Sequence, residues 1–335
     1  TEEETAAKKI TVTAENNVNF DQKSGTGGAG IVGASVGVSV NNFKATVESV
    51  VKESSLYARE AVDITAPDKK DIRQLATNGA GGIAAIGLNL MVTNVGADMQ
   101  DSYTMEEGSD KKKKSVNAKE HTDKSAKMNE EATTCSKTGL SYLSSNETEK
   151  AKMLAEKTAP STAAKTSARA EQSSILVATT DSIGRKTLAG KLNISAQSTE
   201  HIRQDTMQAA SGGVAISGAA GIVRNRSNTE TVAAGGVLRA HTITLDSAKD
   251  GAAGLKIYQG AAGGAAVNAA YGELNMGGRN DLVLTGTQMK AHTITGKTRD
   301  ESTGKVDIIG VAASAGGAGN ILVGNAVHDN VQTLR

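Results

Sequence analysis

Large side chains are almost missing from this 335-residue chain, which has no Trp, two Phe and five Tyr. Aromatic rings supply much of the buried area of a globular core, so the composition argues against two or three ordinary globules. One cysteine, Cys135, leaves no internal disulfide framework and no Cys-based zinc site. Such scarcity is also compatible with export in an unfolded state. The formal charge of +1 provides no one-signed field of the kind that draws a protein to nucleic acid or to an anionic membrane, so no nucleic-acid partner is expected. No apolar run approaches the roughly eighteen residues of a transmembrane helix. The opening Thr1-Glu2-Glu3-Glu4 is no signal peptide and reads as the start of a mature chain or an excised fragment.

What the chain has instead is glycine, 37 residues of it, placed in a repeat. Ala240-His241-Thr242-Ile243-Thr244 returns as Ala291-His292-Thr293-Ile294-Thr295, and each copy leads into a tract of Gly and Ala. Such self-similarity decides architecture before any other signal. Aligning the Ile-Thr anchors gives Ile10, Ile64, Ile194, Ile243 and Ile294, with steps of 54, 130, 49 and 51. One interval is therefore about eighty residues too long and marks an insertion. Within the first tract Val36, Val38 and Val40 alternate with Gly37 and Ser39, the period of a strand with one buried face. Small side chains interleaved with β-branched ones at strand spacing fit a narrow core, where backbones must turn sharply or approach closely.

These features predict an all-β parallel β-helix, in which each coil buries only a thin stripe against its neighbours. Fifty residues fit roughly two coils, so five units predict about ten coils and a rod on the order of 50 Å long. The β-helix is expected over residues 1–103 and again over 182–335, divided by an insertion over 104–181. That insertion holds just two glycines, Gly108 and Gly139, and is rich in Lys, Glu, Ala, Thr and Ser, a composition of solvated helix. Ala118, His121, Ser125, Met128, Ala132 and Cys135 follow a weak heptad seam, and Ser144 with Glu147 has the form of a capping box. A helical hairpin with a third segment over about 161–173 is the expectation, and a disordered loop the alternative.

Few residues suggest chemistry. His241 and His292 are equivalent, but two coils per unit would put them about 10 Å apart, too far to share a metal ion. Gly277-Gly278-Arg279-Asn280-Asp281-Leu282 resembles a calcium-binding nonapeptide without its iteration, and reads as an Asn-Asp turn. Cys135 lacks a histidine at a nucleophile's spacing and reads as a small apolar residue. The basic run Lys111, Lys112, Lys113 and Lys114, with Lys119 nearby, is the one candidate for contact with an anionic glycan or lipid. Glu106, Glu107 and Asp110 precede it closely, the pattern of a solvated loop. Parallel β-helices include polysaccharide lyases and hydrolases, but the acidic residues here are scattered and sugar-stacking aromatics are few. No catalytic residue, cofactor or metal site is expected. Nor does one Thr-x-Thr pair per unit make an ice-binding array.

The run Ala80-Gly81-Gly82-Ile83-Ala84-Ala85-Ile86-Gly87 leading to Val92-Thr93-Asn94-Val95, with the recurrent Ile-Thr anchors, resembles repeats of large secreted proteins of Gram-negative anaerobes. These are the leukotoxin (LktA) family of filamentous adhesins, relatives of filamentous haemagglutinin. The resemblance covers roughly residues 5–103 and 182–335. It implies a right-handed β-helix, type V export through an outer-membrane transporter barrel, and a secreted or cell-surface location. It further implies attachment to a host-cell receptor or glycan, or to neighbouring bacteria. Toxicity to white cells is the alternative within the family, and a lyase or hydrolase the alternative outside it. No residue roles carry over, because the family has no compact catalytic motif. The expected molecule is a monomeric, non-enzymatic rod whose insertion makes contact.

Overall fold

The computed structural model describes residues 7–96, 102–107, 112–117, 154–155 and 165–334. Among these residues every regular element is a strand. In chain order they are β1 (Ala7–Thr13), β2 (Asn16–Phe43), β3 (Val47–Lys52), β4 (Ser55–Val95), β5 (Ser102–Glu107), β6 (Lys112–Asn117), β7 (Leu154–Ala155) and β8 (Lys165–Thr180). There follow β9 (Lys186–Leu188), β10 (Lys191–Arg226), β11 (Asn228–Arg239), β12 (Thr242–Thr285), β13 (Gln288–Lys290), β14 (Thr293–Asp300) and β15 (Thr303–Leu334). The all-β expectation therefore holds.

Each repeat unit lies parallel to the next and in register with it. Ile10 pairs with Val62, Val62 with Leu192, Leu192 with Ile243 and Ile243 with Ile294. Aligning the Ile-Thr anchors puts Ile64 and Ile194 in this column, two residues out of register. Side chains in a strand repeat every two residues, so a two-residue slip keeps every apolar residue on its buried face and leaves no trace in the pattern. The pairing path β4-β10-β12-β11-β8 returns to β4, a closed five-strand parallel barrel with the remaining strands outside it. One unit accordingly advances the ladder by one strand spacing, and the expectation of two coils per unit is wrong. Five units advance about 24 Å, half of the length expected.

The long strands are not straight. Asn78 donates from Nδ2 to the Leu88 carbonyl at 2.8 Å, and Thr93 donates to Gln74, so β4 folds back on itself. Each unit thus forms an arch whose two limbs face through side chains while both hydrogen-bond to neighbouring units. The Gly/Ala tracts sit at the closed end. There Ala80, Ala210 and Ala261 stack in register opposite Ala85, Ala215 and Ala266, and all six are buried. A Cβ on Gly212 would stand 2.1 Å from the Gly82 carbonyl oxygen, and one on Gly263 would stand 1.9 Å from that of Gly212. Glycine is required where backbones approach this closely. Wider parts of the arch hold larger residues, with Ile72, Ile202, Leu255 and Ile257 packing on Val95, Val223 and Leu274. The barrel itself is filled by Val62, Ile64, Leu192, Ile194, Ile243 and Leu245, each with no exposed surface.

The expected helical hairpin is not seen. Its first two segments lie outside the described residues except at β7, and the third, over 161–173, is strand from Lys165 onward. Ile175 and Val177 have no exposed surface, and Ala168 and Ala170 point into the same core. A period of two, not of 3.6, governs this stretch, and Ala-rich composition concealed it. Before the excursion Val95 pairs with Asn225, an offset of 130, and after it Thr166 pairs with Thr229, an offset of 63. The surplus is therefore two insertions. One of 67 residues separates β4 from β8, and a shorter one surrounds the β8–β9 hairpin, where Thr180 pairs with Lys186.

Candidate functional site

Of the predicted contact residues, Lys112, Lys113 and Lys114 lie on β6, while Lys111 and Lys119 lie outside the described residues, as does Cys135. β6 pairs antiparallel with β5, which places Glu107 opposite Lys112, Glu106 opposite Lys113 and Met105 opposite Lys114. Acidic and basic residues are therefore register partners here, not one basic strip.

His241 and His292 are exposed, with ring centroids 5.0 Å apart and planes inclined by 9°. The expected 10 Å separation is overturned, because their units are direct neighbours. Two stacked rings form a surface column, and among the described residues no group of three or more His, Cys, Asp or Glu side chains is placed to hold a metal ion. Asn280, expected in a turn, lies within β12 with no exposed surface. Its Oδ1 accepts from Thr229 at 2.7 Å and from Ser247, and its Nδ2 donates to the Arg299 carbonyl. It ties two limbs of the arch together.

Among the described residues a cluster of four charged side chains is internal, and sequence reading missed it. Asp68, Lys70, Glu200 and Lys249 are each 2% exposed or less. Lys70 Nζ donates to Glu200 Oε1 at 3.1 Å and also to Asp68. Asn16 Nδ2 donates to Asp68 Oδ1 at 2.8 Å, Ser227 donates to Glu200, and Lys249 Nζ donates to the Gly277 carbonyl at 2.7 Å. Burial works to lower the Lys70 pKa, but Glu200 and Asp68 outweigh it and leave the value raised. Burial alone would push the Glu200 carboxyl up, and the ammonium groups of Lys70 and Lys249 instead hold it below its ordinary range. For Lys249 burial prevails and its pKa is lowered, against the attraction of Glu200 and Asp300.

Register explains how these groups meet. Lys70 is the direct partner of Glu200 in the ladder, and Asp68 and Lys249 both flank Ser198 in the next column. An alternating strand run, Asp68-Lys69-Lys70, hides two of its three charges inward, which a count of charges cannot detect. Closed to solvent, this cluster joins side chains of three successive units, and removing any one partner would leave a buried charge uncompensated. The accessible apolar features are elsewhere. Ile31 and Ile83 stand 77% and 69% exposed at the closed ends of two arches, and a shallow groove is lined by Ala80, Ala210, Ala261 and Val311.

No family model, no curated protein and no solved structure matches this chain.

Proposed function

We propose that this chain is a segment of a secreted or surface-exposed bacterial adhesin, a right-handed parallel β-solenoid of five wide coils that acts as spacer and display surface. The observation that carries this reading is the uninterrupted in-register pairing of successive units, from Ile10 through Ile294, across a 67-residue excursion. A scaffold that holds register on both sides of so long an excursion is built to present it. Low aromatic content and the single cysteine support passage through a transporter barrel and folding outside. The contact element is the segment between Gly96 and Lys165, meeting a host-cell receptor, a glycan or a neighbouring bacterium.

The ladder supplies the deletion that tests this. In the third unit two residues, Arg226 and Ser227, separate Asn225 and Asn228, the partners in register of Val95 and Lys165. Replacing residues 97–164 with one serine therefore removes the excursion and keeps every strand of the large sheet. Purified wild-type chain is expected to bind epithelial or bacterial surfaces saturably, and the deletion variant to lose most of that binding with an unchanged far-ultraviolet dichroism signal per sheet residue. Equal binding by both proteins would exclude the excursion as the contact element. No binding by either would remove the adhesin reading.

A further inference from the structure

Each limb of an arch has an outer face, and in the second limb that face is apolar. Asn89 and Thr93 of β4 bond into the arch, so Ile86, Leu88, Leu90 and Val92, of the other parity, point away from it. Val40, Val92 and Ile222 form one column of this outer face, and Val38, Leu90, Ala220, Tyr271 and Val323 the next. Val92 and Ile222 nevertheless have no exposed surface. Among the described residues their apolar neighbours belong to the same two columns, which flank them in the sheet and leave its outside open. Met207, on the outer face of the first limb of the same strand as Ile222, is 44% exposed. Arg224 and Glu273 lie on the covered side too, 3.2 Å apart, and keep just 14% and 16% of their side chains exposed. Asn94 Nδ2, on the same side, is buried with no hydrogen-bond partner among the described residues. Burial of this kind takes a further layer.

We propose that the excursion between Gly96 and Lys165 supplies that layer, by laying one face of its β6-β5-β7 sheet over Leu90, Val92 and Ile222. Two observations identify the occupant. Burial is graded along β4: every residue from Asn89 to Gly96 is buried, Ile86 and Leu88 are half-buried, and Ile83 at the closed end is 69% exposed. The cover is thus deepest where the chain departs, and β5 begins close by, at Ser102. The pattern of the small sheet also matches. Pairing sets Tyr103 beside Val116 and Ala155, and Met105 shares their face, with Lys114, Glu107 and Lys112 toward its far end. Ser102, Thr104, Ser115 and Asn117 fall on the other face. An antiparallel sheet of that pattern rests one face on a core and turns the other to water. An apolar outer face and a sheet with one apolar face each lack the layer that the other provides.

Thiol labelling tests this, in a Cys135→Ser background. In the full chain Ile222→Cys is expected to react with a maleimide at least about tenfold more slowly than Met207→Cys, because a covered thiol is inert. With residues 97–164 replaced by one serine, Ile222→Cys should react as fast as Met207→Cys. Val223→Cys, on the arch interior where Val223 has no exposed surface, should stay protected and report an intact fold. Free labelling of Ile222→Cys in the full chain overturns the proposal, because the face is then open. Protection that survives the deletion overturns it too, because the cover then comes from elsewhere. If the deletion also exposes Val223→Cys, a benzophenone attached in the full chain at Leu88→Cys, where Leu88 is half-buried on the same face, decides the matter. Photolysis is expected to link it to residues 97–164, and links confined to other parts of the chain overturn the proposal. Cell binding plays no part in these readouts, so this proposal stands or falls apart from the adhesin reading.

Discussion

Replacing Lys70 with Met keeps the length of the side chain and removes its ammonium from between two carboxylates. Asp68 is 2% exposed and Glu200 has no exposed surface, so water cannot take over the role of the lost charge. At 3.1 Å the Lys70–Glu200 attraction is worth about 5 kcal/mol at an effective dielectric near 20. Relief of the ammonium's own burial offsets part of that. Breaking a buried pair by removing one partner costs about 3–5 kcal/mol, so a loss of about 4 kcal/mol at pH 7 is expected. Guanidinium unfolding with an unchanged slope would measure it. The second variant decides the mechanism: Lys70→Met with Glu200→Gln removes an orphaned charge and should recover a large part of the loss. pH gives a third reading. In Lys70→Met the burial of Glu200 loses its chief opponent, so the Glu200 pKa rises above its ordinary value, and the deficit narrows as pH falls through that raised value. A single-variant loss under about 1 kcal/mol, or a double variant as unstable as the single, would refute the reasoning.

In the wild-type chain Glu200 is held below its ordinary value of 4.5, so its contribution is present above that pH and is lost as pH falls through the folded value. Urea midpoints should drop in that window, and Glu200→Gln should flatten the drop. Lys249 also has a folded pKa lowered, from 10.5, here because burial disfavours its charged form, so a penalty present at neutral pH is relieved as pH rises through the lowered value, and Lys249→Met should cost less than Lys70→Met. His241→Cys with His292→Cys, in a Cys135→Ser background, should form a disulfide on mild oxidation, because adjacent strands bring the two Cα atoms within bonding range. Persistent free thiols in the folded protein would contradict the one-unit register. Ala215→Leu, in the tightest part of the arch where Ala215 has no exposed surface, should destabilise by about 1–3 kcal/mol through overpacking, read as a lower unfolding midpoint.

Class of fold was legible because its signals are local. Val36, Val38 and Val40 report a strand by themselves, and the paired Ala-His-Thr-Ile-Thr segments report a repeat. The number of strand layers per unit was not legible, because it depends on which residues of one unit face each other. Asn78 against Leu88 and Thr93 against Gln74 set that arch, and neither pairing leaves a periodic trace. A limb that folds back needs the same alternation as a limb that begins a new layer, so fifty residues read equally well as two layers of the ladder or as one. The same limitation hid the charge cluster. Lys70 and Glu200 are 130 positions apart, across two insertions whose lengths do not set the register of the strands they join, so no spacing in the sequence reports the pair. A one-residue slip of either strand in the ladder would turn its charge to the opposite face and leave the partner buried alone. The buried charges therefore penalise wrong registers more heavily than Ala and Val columns can, since a slipped apolar column still finds apolar neighbours. In a chain this poor in large side chains, the polar interior is what makes one register better than its neighbours.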